Sequence, residues 1–242
     1  MIDRDRLRVW AADNGLCVGE RQAERLDRYA ELLVEWNRKM NLTAITDPEG
    51  ILVKHLMDSL TVLRSLPAST GGPLHLIDVG TGAGFPGIPL AVLREDLSLT
   101  LLDSLNKRLV FLQAVCGELG LKARRVHARA EEAGRQKEHR ERYDAATARA
   151  VASLPALCEY CLPLVKPGGV FLAMKGPEGE REAAEAAGAI NALGGRLTGT
   201  DSWRLPPVEG QEAERKILQI KKISATPDRF PRQAVKIAKQ PL

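Results

Sequence analysis

The chain has 242 residues, 44% of them apolar, and its 35 Lys and Arg outnumber 31 Asp and Glu for a formal net charge of +4. That size suits one well-buried α/β domain with a modest appendage, while four cysteines (Cys17, Cys116, Cys158 and Cys161) are too few for a disulfide scaffold and are expected reduced. The charged start Met1–Arg6 lacks the apolar core of a signal peptide and no run approaches the length of a bilayer span, so a cytoplasmic location and no membrane partner are expected.

The chain opens helically. From Gln22 to Met40, Leu26, Tyr29, Ala30, Leu33, Val34 and Trp36 recur at helical spacing, with Asn41 as a stop. A second helix starts near Pro48 and carries Ile51, Leu52, His55, Leu56, Ser59, Leu60 and Leu63 on one side. Both are assigned to an N-terminal helical cap over residues 1–70, packed on a core domain over 71–242. From Leu74 onward, strand candidates Leu74–Val79, Ser98–Asp103, Ala123–His127, Ala145–Ala148 and Val170–Met174 alternate with helical stretches, the pattern of a parallel sheet covered on both faces. Gly195–Leu205 and Arg215–Ile223 have no helix between them, only a Pro206-Pro207 loop, and should run antiparallel at one sheet edge. The C-terminal stretch is basic: Arg215, Lys216, Lys221, Lys222, Arg229, Arg232, Lys236 and Lys239 face one acid, Asp228, which suits a polyanionic partner.

The first strand candidate ends in Asp78 and breaks into Gly80, Gly82 and Gly84, followed by Phe85-Pro86. Alternate glycines bring backbone close to a ligand, and the G-x-G-x-G spacing differs from the dinucleotide G-x-G-x-x-G that cups a pyrophosphate. Bulk and rigidity at Phe85-Pro86 crowd a pyrophosphate but can wall a smaller ligand. This loop resembles motif I of class I S-adenosylmethionine-dependent methyltransferases, and the order of elements matches their Rossmann-like seven-stranded sheet with its last strand antiparallel. In an open α/β sheet the ligand lies across the carboxyl ends of the strands. Asp103, with Ser104 and Leu105 on the following turn, can take an adenosine ribose through both hydroxyls. Past the third strand, a backbone N–H at Ala130 or Glu131 can meet adenine N1 and the Glu131 carboxylate its amino group; an acidic first turn of the next helix is the alternative.

The fourth strand ends at Thr147-Ala148-Arg149-Ala150-Val151, where many base-modifying methyltransferases carry an Asn/Asp-Pro-Pro-aromatic tetrad that orients an exocyclic amine. It is absent, as is a Pro-Cys nucleophile for pyrimidine C5. The target should therefore need little activation, and guanine N7 has an in-plane lone pair and no proton to lose. Arg149 is a candidate for a contact to the cofactor or to guanine O6, with a sheet-edge salt bridge as the alternative. Lys175 is a candidate for a phosphate or base contact. His55, Asp58 and Ser59 share a helix face and can line the RNA side of the pocket, unless His55 is simply buried against a neighbouring carboxylate. Cys158 and Cys161 have redox spacing but no second pair or nearby histidine, so no metal is expected; the two thiols can join under oxidative stress.

Trp36–Ile45, His55–Leu60, the Asp78 loop with Phe85-Pro86-Gly87, Asp103-Ser104 with Lys107-Arg108, Arg149–Ala152 and Met174-Lys175-Gly176 together resemble the RsmG (GidB) family, the bacterial 16S ribosomal RNA guanine-N7 methyltransferases. The likeness runs through nearly the whole chain. It implies S-adenosyl-L-methionine as donor and guanine 527 of the 530 loop in the small ribosomal subunit as target. It further implies cofactor contacts at Gly80, Phe85, Asp103, Ser104, Leu105, Ala130, Glu131 and Arg149; Arg232, in the basic tail, is separately a candidate for an RNA contact. The tail departs from the family pattern: the glycine usual after its arginine is missing between Arg232 and Pro241-Leu242. In-line transfer without a general base is the expected chemistry, the protein acting by alignment, and a monomer is expected. A non-catalytic rRNA-binding factor on the same scaffold and a nicotinamide dehydrogenase are the competing readings, the latter opposed by Phe85-Pro86.

Overall fold

The computed structural model describes residues 1–69 and 71–242. The expected cap boundary at residue 70 lies outside the described residues. Helix α1 (Arg4–Asp13) begins where the Asp3 carboxylate accepts from the Arg6 N–H, and buries Leu7, Trp10 and Ala11. Sequence periodicity missed it because its apolar residues are few among five charged ones. Helix α2 (Glu20–Met40) buries Ala23, Leu26, Tyr29, Ala30, Leu32 and Leu33 and stops at Asn41, which adopts φ 48°. The next helical segment runs unbroken from α3 (Pro48–Gly50) through a π-wound stretch, Ile51–Met57, and α4 (Asp58–Leu60) to a final 3₁₀ stretch, Thr61–Ser65. The wide π turn shifts side chains off the α spacing, so the face expected for His55, Asp58 and Ser59 is redrawn.

Seven strands form one sheet in the order β3-β2-β1-β4-β5-β7-β6. They are β1 (Leu74–Val79), β2 (Leu97–Asp103), β3 (Ala123–His127), β4 (Tyr143–Arg149), β5 (Val165–Lys175), β6 (Gly195–Val208) and β7 (Gln211–Lys222). The first five are parallel, and β7 runs antiparallel to both β5 and β6. An antiparallel strand near the edge separates this sheet from the all-parallel dinucleotide order. Pro206-Pro207 is not the hairpin loop: it sits inside β6 at a register shift, and the turn is Glu209-Gly210, both with positive φ. Prolines are tolerated there because β6 is an edge strand.

Helices α5 (Gly87–Leu93) and α6 (Asn106–Glu118) lie with α1 and α2 on one face; α7 (Ala130–Ala133), α8 (Leu154–Cys161), α9 (Gly179–Glu185) and α10 (Ala187–Ala192) lie on the other. Two apolar clusters result. One joins Leu26, Leu33, Leu56 and Leu60 of the N-terminal helices to Leu76, Leu99 and Leu101; the second joins Ile77, Val79, Leu102 and Phe171 to Leu157, Leu162 and Ile190. Alternate residues of β1 thus serve opposite faces, as a strand buried on both sides requires. A last helix, α11 (Ala234–Lys239), follows the sheet. Among the described residues no helix is long and apolar enough to cross a membrane.

Candidate functional site

Two concave regions open at the carboxyl ends of the parallel strands. The first, about 420 Å³, is lined by Gly80, Asp103, Ser104, Ala130, Glu131, Val151 and Tyr160, with Ile237, Ala238 and Pro241 arriving from the C-terminal segment. The second, about 430 Å³, is lined by Ile45, Lys54, His55, Asp58, Arg149, Lys175 and Arg215. Consecutive residues border them: Ala150 faces the second and Val151 the first. Ala150 holds φ 55°, a left-handed conformation that an alanine enters only where surrounding structure enforces it.

The glycine loop shapes the first cavity. Gly80 and Gly82 have φ 68° and 59°, and the Gly82 N–H donates 2.9 Å to Asp103 Oδ2. A Cβ on Gly80 would come within 2.8 Å of Val151, so glycine lets the β1 loop and the β4 loop meet. Gly84 differs from the expected ligand contact: a Cβ there would meet Ile88 and Leu112 at 2.7 Å and the Tyr29 hydroxyl at 2.8 Å, so its need is core packing. Asp78 is likewise an organiser and not a wall. It is fully buried, and Oδ2 accepts from Thr81 Oγ1 (2.6 Å) and Gly87 N–H (3.0 Å). Burial pushes its carboxyl up to about 6 against the lowering effect of those two hydrogen bonds.

Asp103, at the end of β2, is 2% exposed, and besides Gly82 it accepts from Leu105 N–H at 2.8 Å and Arg108 Nη1 at 3.2 Å. Leu105 is exposed and acts through that backbone bond at the start of α6, outside the cavity lining. Glu131 lines the cavity while 8% exposed, and no described side chain or backbone group hydrogen-bonds its carboxylate. A buried acceptor in a cavity wall fits a ligand that brings its own N–H donor. With glycine backbone, an acid at the β2 end and this acceptor, the first cavity fits an adenosine-bearing cofactor.

The second cavity is organised around Asp58. Its carboxylate is 3% exposed; Oδ2 accepts from Arg149 Nη1 and Oδ1 from Arg215 Nε, both at 2.9 Å. Arg149 also donates to Lys54 O (2.9 Å) and toward His55 Nδ1 (3.3 Å), with its guanidinium 5.1 Å over the Phe85 ring. Phe85 supports this side from behind: it stacks on His55 at 4.5 Å and leans on Tyr29 at 5.1 Å, and it lines neither cavity. Tyr29 donates its hydroxyl to Ala83 O, tying α2 to the glycine loop. His55 Nε2 lies 2.9 Å from Thr43 Oγ1. Burial, and next the Arg149 charge, lower its imidazole to about 4, so the ring is neutral near pH 7.

Several sequence expectations need correction. His55 is not paired with a carboxylate; Asp58 takes two arginines. Ser59 is fully buried and donates to His55 O, so it lines neither cavity. Arg149 borders the second cavity and is absent from the first cavity's lining, which separates it from the adenosine contacts. Lys175 lines the second cavity, but its ammonium is held by Ala152 O (3.0 Å) and Glu182 (2.7 Å). Arg232 turns away from both cavities and is gripped by the fully buried Glu159, with contacts of 2.7–3.0 Å from Nε and Nη2. The basic stretch is also partly neutralised, since Arg215, Lys216, Lys222 and Arg232 all pair with acids. Cys158 and Cys161 are both fully buried, and burial pushes the Cys158 thiol up to about 12. Among the described residues no group of three or more His, Cys, Asp or Glu is disposed to hold a metal.

Arg215, Tyr160 and Ala150 are site residues that sequence reasoning missed. Arg215 pairs across 157 positions, and only the β5-β7 pairing brings it beside Arg149. Nothing local marks it.

A family model described as GidB, rRNA small subunit methyltransferase G, matches residues 22–204. The chain is 48% identical over 229 residues to the ribosomal RNA small subunit methyltransferase G of Alkaliphilus metalliredigens, covering 94% of each protein. It is 45% identical over 240 residues to that of Alkaliphilus oremlandii, covering 99% of this chain and 98% of the relative. In fold it is similar to M. jannaschii TYW2, solved in complex with AdoMet, with TM-score 0.52 and 13% identity over 69% of this chain and 77% of that one.

Proposed function

The chain belongs to the GidB family, rRNA small subunit methyltransferase G, and from that membership we propose that it methylates guanine N7 in the 530 loop of 16S ribosomal RNA, at guanine 527, using S-adenosyl-L-methionine. The observation that carries this reading is the pair of cavities meeting at Ala150-Val151 beside the Gly80 turn: one fits an adenosine, the other is faced by two guanidiniums and an aromatic–imidazole stack.

Bound in the first cavity, the sulfonium donor supplies an electrophilic methyl group. The protein's part is to hold and to exclude. Asp103 and Glu131 accept from the nucleoside, and Ala130, Ser104 and the Gly80 backbone form its bed. In the second cavity Arg149 and Arg215 present N–H groups for guanine O6. Arg149 spends both Nη1 hydrogens on Lys54 O and Asp58 and one Nη2 hydrogen toward His55, leaving two of the five guanidinium N–H groups without an acceptor among the described residues. Donors on O6 fix the base in its plane and leave N7 free to attack. N7 carries no proton, so no general base is needed, and a neutral His55 is consistent with a packing role beside Phe85. A positive charge leaves sulfur as one arrives on the base, so the two cations need not stabilise new negative charge; Asp58 offsets their repulsion of the charged product.

The protein is proposed to act in the cytoplasm as a monomer, with Arg229, Lys236 and Lys239, which pair with no acid among the described residues, near RNA phosphates. The test is methylation of purified small subunits from a strain lacking the gene, followed by mapping of the modified base. One new 7-methylguanosine in the 530 loop is the expected product. Binding of subunits without any methyl transfer would instead favour a non-catalytic factor.

A further inference from the structure

Beyond β7 the chain is stapled to the sheet's second face at successive points. The fully buried Lys222 ammonium donates to Leu162 O, Val165 O, Thr226 Oγ1 and Glu141. Arg140 then donates to Thr226 O (2.7 Å) and Phe230 O (2.8 Å), and Pro231 packs against Gly134, at the end of α7. Glu159 of α8 takes the Arg232 backbone N–H at 2.6 Å as well as its guanidinium. Four hydrogen bonds on one fully buried carboxylate fix both the direction and the rotation of the chain at Arg232. Beyond it, Ile237 and Ala238 of α11 and Pro241 just after the helix join the lining of the first cavity, next to the α7 and α8 residues Ala130, Glu131, Ala156 and Tyr160. Ile237 is fully buried, yet it joins neither apolar core cluster. It is covered by protein alone and so anchors the segment from beneath, whereas Ala238 and Pro241, which also line the cavity, are exposed, as are Lys236 and Lys239.

We infer that the C-terminal segment is a built wall of the adenine end of the cofactor site, with Ala238 and Pro241 its apolar face, Ile237 the buried anchor beneath them and the Glu159–Arg232 pair its positioning device. This rests on the adenosine reading of the first cavity. An adenine ring is flat and apolar on its faces, and Ala238 and Pro241, in one lining with Ala130 and Ala156, complete an apolar slot for it, while the edge of the ring meets Glu131. The segment the sequence marks as a basic arm for RNA thereby acquires an inward role on its apolar residues. Its cations point outward on the same helix.

Binding separates the possibilities. Titration calorimetry with S-adenosylmethionine and with 5′-methylthioadenosine, which lacks the amino-acid arm, reads the adenosine contact in isolation. Ile237→Ala should weaken both ligands by the same factor, roughly 5- to 20-fold, because the void left beneath the wall lets Ala238 and Pro241 recede from the base. Arg232→Gln should weaken both as well, with the change falling on the donor's KM and not on kcat, and Arg232→Lys should recover part of the loss. Trypsin gives a readout independent of turnover: either ligand should slow cleavage at Lys236 and Lys239 in the parent protein. Equal affinity of parent and Ile237→Ala for methylthioadenosine, with no protection from trypsin, overturns the inference while leaving the methyltransferase reading intact. A parent protein that binds neither ligand overturns the adenosine reading and the wall together.

Discussion

Replacing Asp58 by asparagine removes the charge that holds two guanidiniums side by side at the second cavity. The carboxylate side chain is 3% exposed, whereas Arg149 and Arg215 are 17% and 26% exposed and can recover some hydration. Breaking a buried ion pair costs about 3–5 kcal/mol because the partner charge is left uncompensated; partial exposure of both partners and the one retained amide acceptor bring this to roughly 2–3 kcal/mol. For a chain of this length that lowers Tm by about 4–12 °C. The functional loss should be larger than the stability loss, since two like charges released from their common anchor no longer share one plane, and misplacement on the scale of an ångström costs on the order of 100-fold in rate. Affinity for S-adenosylmethionine should stay within about twofold, because Asp58 does not border the first cavity. The assay is thermal unfolding, cofactor titration and subunit methylation on the same preparation, at a temperature where the variant is folded. A Tm within about 1 °C of the parent and near-normal methylation would refute the anchoring role, and a loss confined to cofactor affinity would show that the two cavities are not energetically separate.

His55 supplies a pH signature. Its folded-state value of about 4 lies below the ordinary 6.5, so the unfolded chain takes up the proton first and stability is lost as pH falls from 6.5 through 4. Between pH 7 and pH 4.5 the stability of the parent relative to His55→Gln should drop by roughly 2–3 kcal/mol in urea unfolding, and a difference that stays constant with pH contradicts a buried neutral ring. The cysteines give a second check. Cys17 is exposed and the other three are buried, with Cys116, Cys158 and Cys161 all raised by burial, so native alkylation followed by mass spectrometry should label Cys17 and spare the rest. Rapid native labelling of Cys158, or a Cys158–Cys161 disulfide formed by oxidant before unfolding, would mean that α8 opens in solution.

Much of the architecture was legible because it depends on short-range pattern. β1 and β3 have the bounds read from sequence, β1 from its apolar run and β3 from its place in the strand–helix alternation, and Asn41 ends α2 as a residue tolerant of φ 48° should. Strands β4 and β5 extend beyond the runs read from sequence, to Tyr143 and Val165, because these two buried residues pair across a register shift, on the far side of the exposed 166–168 stretch that interrupts the apolar run of β5. Pro206-Pro207 misled for a related reason. Proline signals a loop unless the strand has a free edge, and whether β6 is an edge strand is a property of the sheet order, which the local sequence does not contain.

The site divides along the same line. Residues picked by their place past a strand end, namely Gly80, Asp103, Ser104, Ala130 and Glu131, do line one cavity, because the crossover topology puts the carboxyl ends of the five parallel strands β1–β5 on one rim. Residues chosen by chemical type were distributed otherwise. A glycine reads the same whether it lets two loops meet at a cavity, as at Gly80, or clears a tyrosine hydroxyl, as at Gly84, and Gly82, called with them, lines neither cavity. A cation reads the same whether it meets solvent or a buried acid, and four of the eight basic residues read as a tail are neutralised by acids as distant in sequence as Asp58, Glu141 and Glu159. Those acids lie on the helices and turns that cover the sheet. The pairing of a late arginine with an early aspartate is therefore a consequence of β7 inserting between β5 and β6. Had the hairpin stacked in sequence order, Arg215 would sit one strand farther from Arg149, beyond reach of Asp58, and the second cavity would hold one guanidinium instead of two.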